Sequence, residues 1–391
     1  VQKNLCLAIF CLLPLTGCCT HHQQQAPMTG QIVQRQGDEI VVCGQLIHTG
    51  APVVTWMDPG GYDAYRTERR FAPYDVSNFN DTKAQLPKDF SQPNRYGLRF
   101  GKPSEDDKLR GGPQLTAQEL ELVRGGGWTL PMLQDKVDQF VLHYDVAGIS
   151  RNCFRTLHDS RDLSVQFMLD LDGTIYQTLD LKERAWHATT SNDRSIGIEI
   201  ANIGAYGAGG EGKNNVLEQW YRKGPDGHTR IVIGPAYGGG KWIRTPNFVG
   251  HPSRDQAIVG EIQGHELRQY DFTPQQYDSL IKLTAALCIT FPKIKCDYPR
   301  DAEGHLITKK LDHDALASYE GVLGHYHIQL DKTDPGPALQ WDMLISGAQK
   351  LIAQAKAHHL NEHWMEKPPV PDSYKPTTTQ PTMASIAKSG S

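Results

Sequence analysis

Ser195-Ile196-Gly197-Ile198-Glu199-Ile200 is the stretch that decides the fold. Successive side chains of a strand point to opposite faces, and isoleucine suits a pleated, half-buried surface. Ile196, Ile198 and Ile200 therefore share one face, which must be covered. Glu199 points to the other face, where a carboxylate meets either solvent or a cleft.

Working outward, Phe140-Val141-Leu142 is an apolar run fit for a second buried strand, with His143 at its end. Ser164–Leu169 and Thr174–Leu179 alternate around Asp172-Gly173, which predicts a hairpin with a two-residue turn. Ile40–Val42 and Pro52–Trp56 read as further strands. Thr273-Pro274-Gln275-Gln276 opens the clearest helix: Thr at the N-cap, Pro at the first turn and Gln at N3 satisfy amide hydrogens left free at a helix start. Tyr277, Leu280, Ile281, Leu287 and Cys288 follow at helical spacing. Shorter helices are predicted at Thr116–Val123, Leu130–Asp135 and Cys153–His158, the last with Phe154 and Leu157 on one face. A final helix is predicted over Leu339–Ala357, with Met343, Leu344, Leu351 and Ile352 inward. These elements predict an α/β (α+β) fold, a central mixed β-sheet flanked by helices.

Two segments interrupt that pattern. Residues 58–113 are rich in Pro, Gly, Asp and Arg and lack periodicity, so 31–130 reads as an N-terminal extension packed on a main domain at 131–360. Residues 204–262 are rich in Gly and polar residues and carry Tyr206, Trp220, Tyr221, Tyr237 and Trp242, which reads as a long insertion near the site. Its aromatics either stack on sugar rings or pin the loop down.

The chain ends differ from the middle. Lys3 and the apolar Leu5–Leu15 form a signal-like start too short to span a bilayer, ending in Leu15-Thr16-Gly17-Cys18. This resembles a bacterial lipobox, so 1–17 is expected to be removed and Cys18 to carry lipid. Residues 18–30 then read as a polar tether, and Cys19 rather than an aspartate after the lipidated cysteine implies the outer membrane, facing the periplasm. Residues 361–391 are Pro/Thr/Ser-rich and expected to be disordered. Forty basic and 44 acidic residues give a formal net charge of −4, without the basic stripe of a nucleic-acid binder. The cysteines show no CxxC pair; Cys288 and Cys296 are either a disulfide or buried free thiols.

The chemistry concentrates in Gly324-His325-Tyr326-His327-Ile328-Gln329-Leu330-Asp331-Lys332-Thr333-Asp334-Pro335-Gly336-Pro337. Pro335 and Pro337 exclude a regular helix, and a stiff polar loop suits ligand-holding. Two histidines and a carboxylate, with a fourth position for water, form the ligand set of hydrolytic zinc. The candidates are His143, then His325 or His327, then Asp334 or Asp331.

The ordered set of motifs resembles the zinc-dependent N-acetylmuramoyl-L-alanine amidases of the type 2 family, which share a fold with peptidoglycan recognition proteins. The pieces are Phe140–His143, Leu171-Asp172-Gly173-Thr174-Ile175-Tyr176-Gln177, Ala185-Trp186-His187-Ala188, Asn192–Ile200 and Gly324–Pro337. The resemblance implies His143, His325 and Asp334 as zinc ligands, Glu199 as general base and Lys332 as transition-state support. It also implies Trp186 and His187 as walls of the substrate cleft, with peptidoglycan or muropeptides as substrate. The chain departs from the family pattern at Tyr144 and Gln166, where relatives often carry histidine. It departs again at Ala188-Thr189-Thr190, and in a His325-to-Asp334 spacing one residue short. The same fold also carries non-catalytic peptidoglycan-binding modules, which typically lack a zinc ligand; this chain keeps the full set.

Overall fold

The computed structural model describes residues 35–65, 96–101, 114–207 and 216–357. The expected signal, tether, lipidated Cys18 and C-terminal tail lie outside the described residues. From Gln36 onward the described residues belong to one compact unit. No helix among the described residues is long and apolar enough to cross a membrane.

In chain order the strands are β1 (Glu39–Val42), β2 (Gln45–His48), β3 (Val53–Thr55), β4 (Gly97–Leu98), β5 (Gln139–Tyr144), β6 (Phe167–Leu169), β7 (Ile175–Gln177), β8 (Glu183–Arg184), β9 (Ser195–Ile200), β10 (Tyr206–Gly207), β11 (Tyr221–Lys223), β12 (Thr229–Ile231), β13 (Ile258–Ile262), β14 (His265–Gln269) and β15 (Gly321–Gly324). The helices are α1 (Ala117–Arg124), α2 (Leu130–Lys136), α3 (Ser150–Arg155), α4 (Val216–Trp220), α5 (Pro274–Thr290), α6 (His313–Ser318) and α7 (Trp341–Ala357).

Six strands form the central sheet in the order β15-β5-β9-β6-β7-β3. All neighbours are parallel except β6 and β7, so the sheet is mixed. Alternation along β5 and β9 separates two functions. Phe140, Leu142, Ile196, Ile198 and Ile200 join a core with Tyr277, Leu280, Leu283 and Leu287 of α5 and Leu344 and Ile345 of α7. Val141, His143, Gly197 and Glu199 are left on the opposite face. The capping box predicted at Thr273 is present, its side chain accepting from Gln276 N–H while Gln276 returns a bond to the Thr273 N–H. Thr116 caps α1 in the same way.

Several expectations need correction. The hairpin is present, but its paired strands are only Phe167–Leu169 and Ile175–Gln177. Its loop has three residues: Asp170 N–H bonds Thr174 O at 2.9 Å and Gly173 N–H bonds Asp170 O at 3.0 Å, with Gly173 at φ +83°. That positive φ places Gly173, rather than an Asp-Gly pair, at the turning point. The helix expected at Cys153–His158 begins earlier, at Ser150, and widens into a π turn over Thr156–Ser160. Met343 does not point inward; it is 36% exposed, on the rim of the α7 stripe. Of the two readings left open for Cys288 and Cys296, the structure has free thiols, and they are half-buried rather than buried.

The N-terminal segment is built into the sheet. β3 pairs in parallel with β7 as the edge strand, and β4 pairs with β8 beside the cleft. The 204–262 segment carries α4, β11 and β12 and contributes β10 and β13 to a three-stranded sheet with β14. Trp220 and Tyr221 are buried with Ile203 and Leu217, and Tyr221 stacks on Tyr270 at 4.1 Å, so these two aromatics pin the segment. Tyr237 and Trp242 remain partly exposed.

Candidate active site

A cleft of about 1070 Å³ opens on the face of β5 and β9 away from α5 and α7. His143 enters from β5, while His325 follows β15, the strand next to β5. Asp334 returns at the end of the proline-rich loop, held where Tyr326 N–H bonds the Asp334 carbonyl at 3.1 Å.

Three ligand atoms converge there. His143 Nδ1 lies 2.8 Å and His325 Nδ1 3.0 Å from Asp334 Oδ2, and the two nitrogens are 3.0 Å apart. Atoms bound tetrahedrally at the usual zinc distances sit roughly 3.3 Å from one another, so this triangle is close to the size the ion needs. The donor set, two imidazoles and one carboxylate, is also the one zinc takes. All three residues are buried. Burial and the neighbouring His325 push His143 down to about 4, so its ring is neutral near pH 7.

The outer nitrogens of both ligand rings are occupied. His325 Nε2 meets Gln329 Oε1 at 2.7 Å, and His143 Nε2 meets His187 Nδ1 at 3.0 Å. With Nδ1 turned to the ligand cluster, each Nε2 carries the hydrogen and donates it.

Glu199 pairs in register with His143 across the parallel β5–β9 ladder and lines the same cleft. Burial, then the Asp334 and Asp145 carboxylates, push its carboxyl well above the ordinary range, while Arg161 and Lys332 oppose that rise. Lys332 also lines the cleft, half-buried, with its nearest ion-pair partner Asp331 at 3.6 Å. Trp186 forms part of the wall, its ring under the Arg184 guanidinium at 4.2 Å. His187 lines the cleft too; burial and the nearby His143 and His325 hold it well below its usual pKa.

The two alternatives raised by the sequence fall outside this cluster. His327 is fully buried, with Nδ1 accepting from Gly324 N–H at 2.9 Å and Nε2 donating to Ile307 O at 2.7 Å. Both ring nitrogens are thus committed to backbone. Asp331 stays at the surface beside Lys332.

Some contributors have no signature in the sequence. Gln263, at the tip of the β13–β14 hairpin, donates to the carbonyls of Tyr326 at 2.8 Å and Gln329 at 3.0 Å. Gln269 holds the far end, donating to Pro335 O at 3.1 Å and accepting from Ala338 N–H at 2.9 Å. Arg99 is fully buried beneath the cleft, its Nη1 reaching the carbonyls of Asp193 at 2.8 Å and Ser195 at 2.9 Å. An isolated Gln or Arg far away in sequence leaves no periodic mark, so only the fold reveals these.

None of the curated proteins matches the sequence. Among solved structures the chain is similar to a selenomethionine derivative of AmpD, at 18% identity over 55% of this chain and 86% of that one, with a TM-score of 0.26. It is similar to the N-acetylmuramyl-L-alanine amidase AmiD from E. coli, solved with the substrate anhydro-N-acetylmuramic acid-L-Ala-D-gamma-Glu-L-Lys, at 19% identity over 54% and 57% with a TM-score of 0.29. It is also similar to the endolysin N-acetylmuramoyl-L-alanine amidase LysCS from Clostridium intestinale, at 15% identity over 56% and 86% with a TM-score of 0.29. A family model described as N-acetylmuramoyl-L-alanine amidase matches residues 133–337, more than half of the 391 residues and a span that holds His143, His325, Asp334 and Glu199. The chain belongs to the N-acetylmuramoyl-L-alanine amidase family.

Proposed function

We propose that this protein is a zinc-dependent peptidoglycan amidase that hydrolyses the amide between the lactyl group of N-acetylmuramic acid and L-alanine. The observation that carries the reading is the convergence of His143 Nδ1, His325 Nδ1 and Asp334 Oδ2 in one cleft with Glu199 and Lys332. His143, His325 and Asp334 would hold the zinc, which would supply the Lewis acidity that makes water a nucleophile near neutral pH. Glu199 takes the proton from the attacking water and returns it to the departing L-alanine nitrogen. The Lys332 ammonium faces the negative charge that builds on the carbonyl oxygen. The products are a free lactyl carboxylate and a stem peptide with a new amino terminus, which balances the addition of one water.

A binding module on the same fold would need neither a complete ligand triad nor an acid–base residue beside it. The test is digestion of purified sacculi and of soluble muropeptides, with and without chelator. Zinc-dependent release of stem peptide is the expected result; unchanged substrate at full zinc occupancy would overturn the reading. The proposal includes lipid anchoring through Cys18 in the outer membrane, facing the periplasm, supported by the lipobox-like Leu15-Thr16-Gly17-Cys18. Cys18→Ala should then move the protein from the membrane fraction to the soluble periplasmic fraction.

A further inference from the structure

We infer that His187 is a positioning residue that fixes the orientation and tautomer of the metal ligand His143, rather than a residue that recognises substrate. The inference rests on the zinc reading of the site.

Metal-bound histidines usually donate their second ring N–H to a carboxylate, a backbone carbonyl or water, and that partner sets ring orientation. Here the partner is another imidazole. His143 Nε2–H donates to His187 Nδ1 at 3.0 Å, with the two rings edge to face at 84°. His187 then carries its own hydrogen on Nε2, 3.2 Å from Ser195 Oγ. The result is a chain of three side chains leading away from the ligand cluster, and both nitrogens of His187 are spent on it. Neither is free to hydrogen-bond a substrate.

The surroundings are shaped for this ring. Gly197 lies against it: a Cβ there would come within 2.6 Å of His187 Cε1 and Nδ1. The glycine between Ile196 and Ile198 thus leaves room for the imidazole on the face that carries Glu199. The His187 backbone is held as well. Asn192 Oδ1 accepts from the N–H groups of His187 at 3.0 Å and Ala188 at 2.7 Å. The turn that bears Asn192 and Ser195 is fastened from below by Arg99, whose Nη1 donates to the carbonyls of Asn192, Asp193 and Ser195 at 3.3, 2.8 and 2.9 Å. A residue from the N-terminal segment therefore supports the turn that supports His187. The neighbouring Trp186, stacked under Arg184 and pressed by Gly97, makes no side-chain hydrogen bond to the His143–His325–Asp334 triangle among the described residues and fits the role of cleft wall.

The experiment measures zinc affinity by competition with a chromophoric chelator, on the full chain and on His187→Ala, His187→Gln, Ser195→Ala and Trp186→Ala. His187→Ala should weaken zinc binding about 10- to 100-fold. His187→Gln should recover part of that loss, because its amide oxygen can accept from His143 Nε2–H. Ser195→Ala, a milder change that leaves the His187 ring in place, should weaken zinc by a few-fold. Trp186→Ala should leave zinc affinity unchanged and raise KM for muropeptide. In the cobalt-substituted protein, His187→Ala should also shift the visible absorption bands, which a purely structural role would not do. Zinc affinity unchanged in both His187→Ala and Ser195→Ala, with KM raised instead, would overturn the inference while leaving the zinc site standing. Failure of the unaltered chain to bind zinc would overturn the site reading and this inference together.

Discussion

Glu199 is the in-register neighbour of His143 on the adjacent parallel strand. Paired residues of adjacent strands project to the same side of a sheet, with backbones roughly 4.8 Å apart. The spacing between Glu199 and His143 is therefore set by the ladder of hydrogen bonds between β5 and β9, not by a loop. The two functional groups come from different parts of the chain, yet their spacing is among the most rigid dimensions in the molecule.

Glu199→Gln tests that arrangement. The amide keeps the shape of the side chain and cannot take a proton. Turnover should fall by about 10²–10⁴-fold, while zinc affinity stays within a few-fold of the parent. Steady-state kinetics with parallel metal titration measures both, and retained turnover would remove Glu199 from its role.

His325 and His327 should separate cleanly. His325→Ala removes one corner of the ligand triangle and should abolish stoichiometric zinc. His327→Ala leaves Gly324 N–H and Ile307 O without their partner. It should destabilise the fold by about 1–3 kcal/mol or more, with zinc stoichiometry intact. Metal analysis beside chemical denaturation distinguishes the two.

Gln263→Ala should loosen the 324–337 loop without touching a candidate ligand. It frees the carbonyls of Tyr326 and Gln329 that the amide now holds. Hydrogen exchange should quicken over 325–334, and turnover should fall by about tenfold through imprecise placement of Lys332 and Asp334. Unchanged exchange in that loop would mean that the β13–β14 hairpin does not brace it.

Asp170 should make stability depend on pH. Its Oδ1 accepts from Leu171 N–H at 2.9 Å, but its Oδ2 is buried and finds no hydrogen-bond partner among the described residues. Burial, then the Asp172 and Asp145 charges, push the carboxyl from 3.8 up to about 8. Between those values the native chain holds a proton that the unfolded chain has released. The contribution is thus complete below the unfolded pKa and is lost as pH rises through about 8. Asp170→Asn removes this dependence. Relative to the parent it should gain on the order of 5 kcal/mol at pH 8.5 compared with pH 4. Urea melts of both proteins at both pH values give the difference, and a constant offset would rule out Asp170 as the titrating group.

What the sequence reveals here is what is local or periodic. The alternation in Ser195–Ile200 specifies a strand and its two faces within six residues, and the Thr273–Gln276 box specifies a helix start within four. Both are governed by chain geometry that a short window contains. The Asp172-Gly173 turn is half legible: its glycine is at the turning point, but the extra loop residue depends on Asp170 pairing with Thr174. Choosing between His325 and His327 is beyond spacing alone, because a 3₁₀ turn aims the two rings in different directions. Arg99, Gln263 and Gln269 are illegible, since each acts on backbone carbonyls 63 or more residues away in sequence.

The edge strand β3 and the buried Arg99 both precede residue 133, where the match to the family begins. A protein trimmed to 133–337 would expose the open edge of β7 and strip a guanidinium from the carbonyls of Leu181, Asn192, Asp193 and Ser195. It would also lose α7, and with it one side of the cover over β5 and β9. The stretch that marks the kinship is therefore shorter than the stretch that packs together, and the two end in different places.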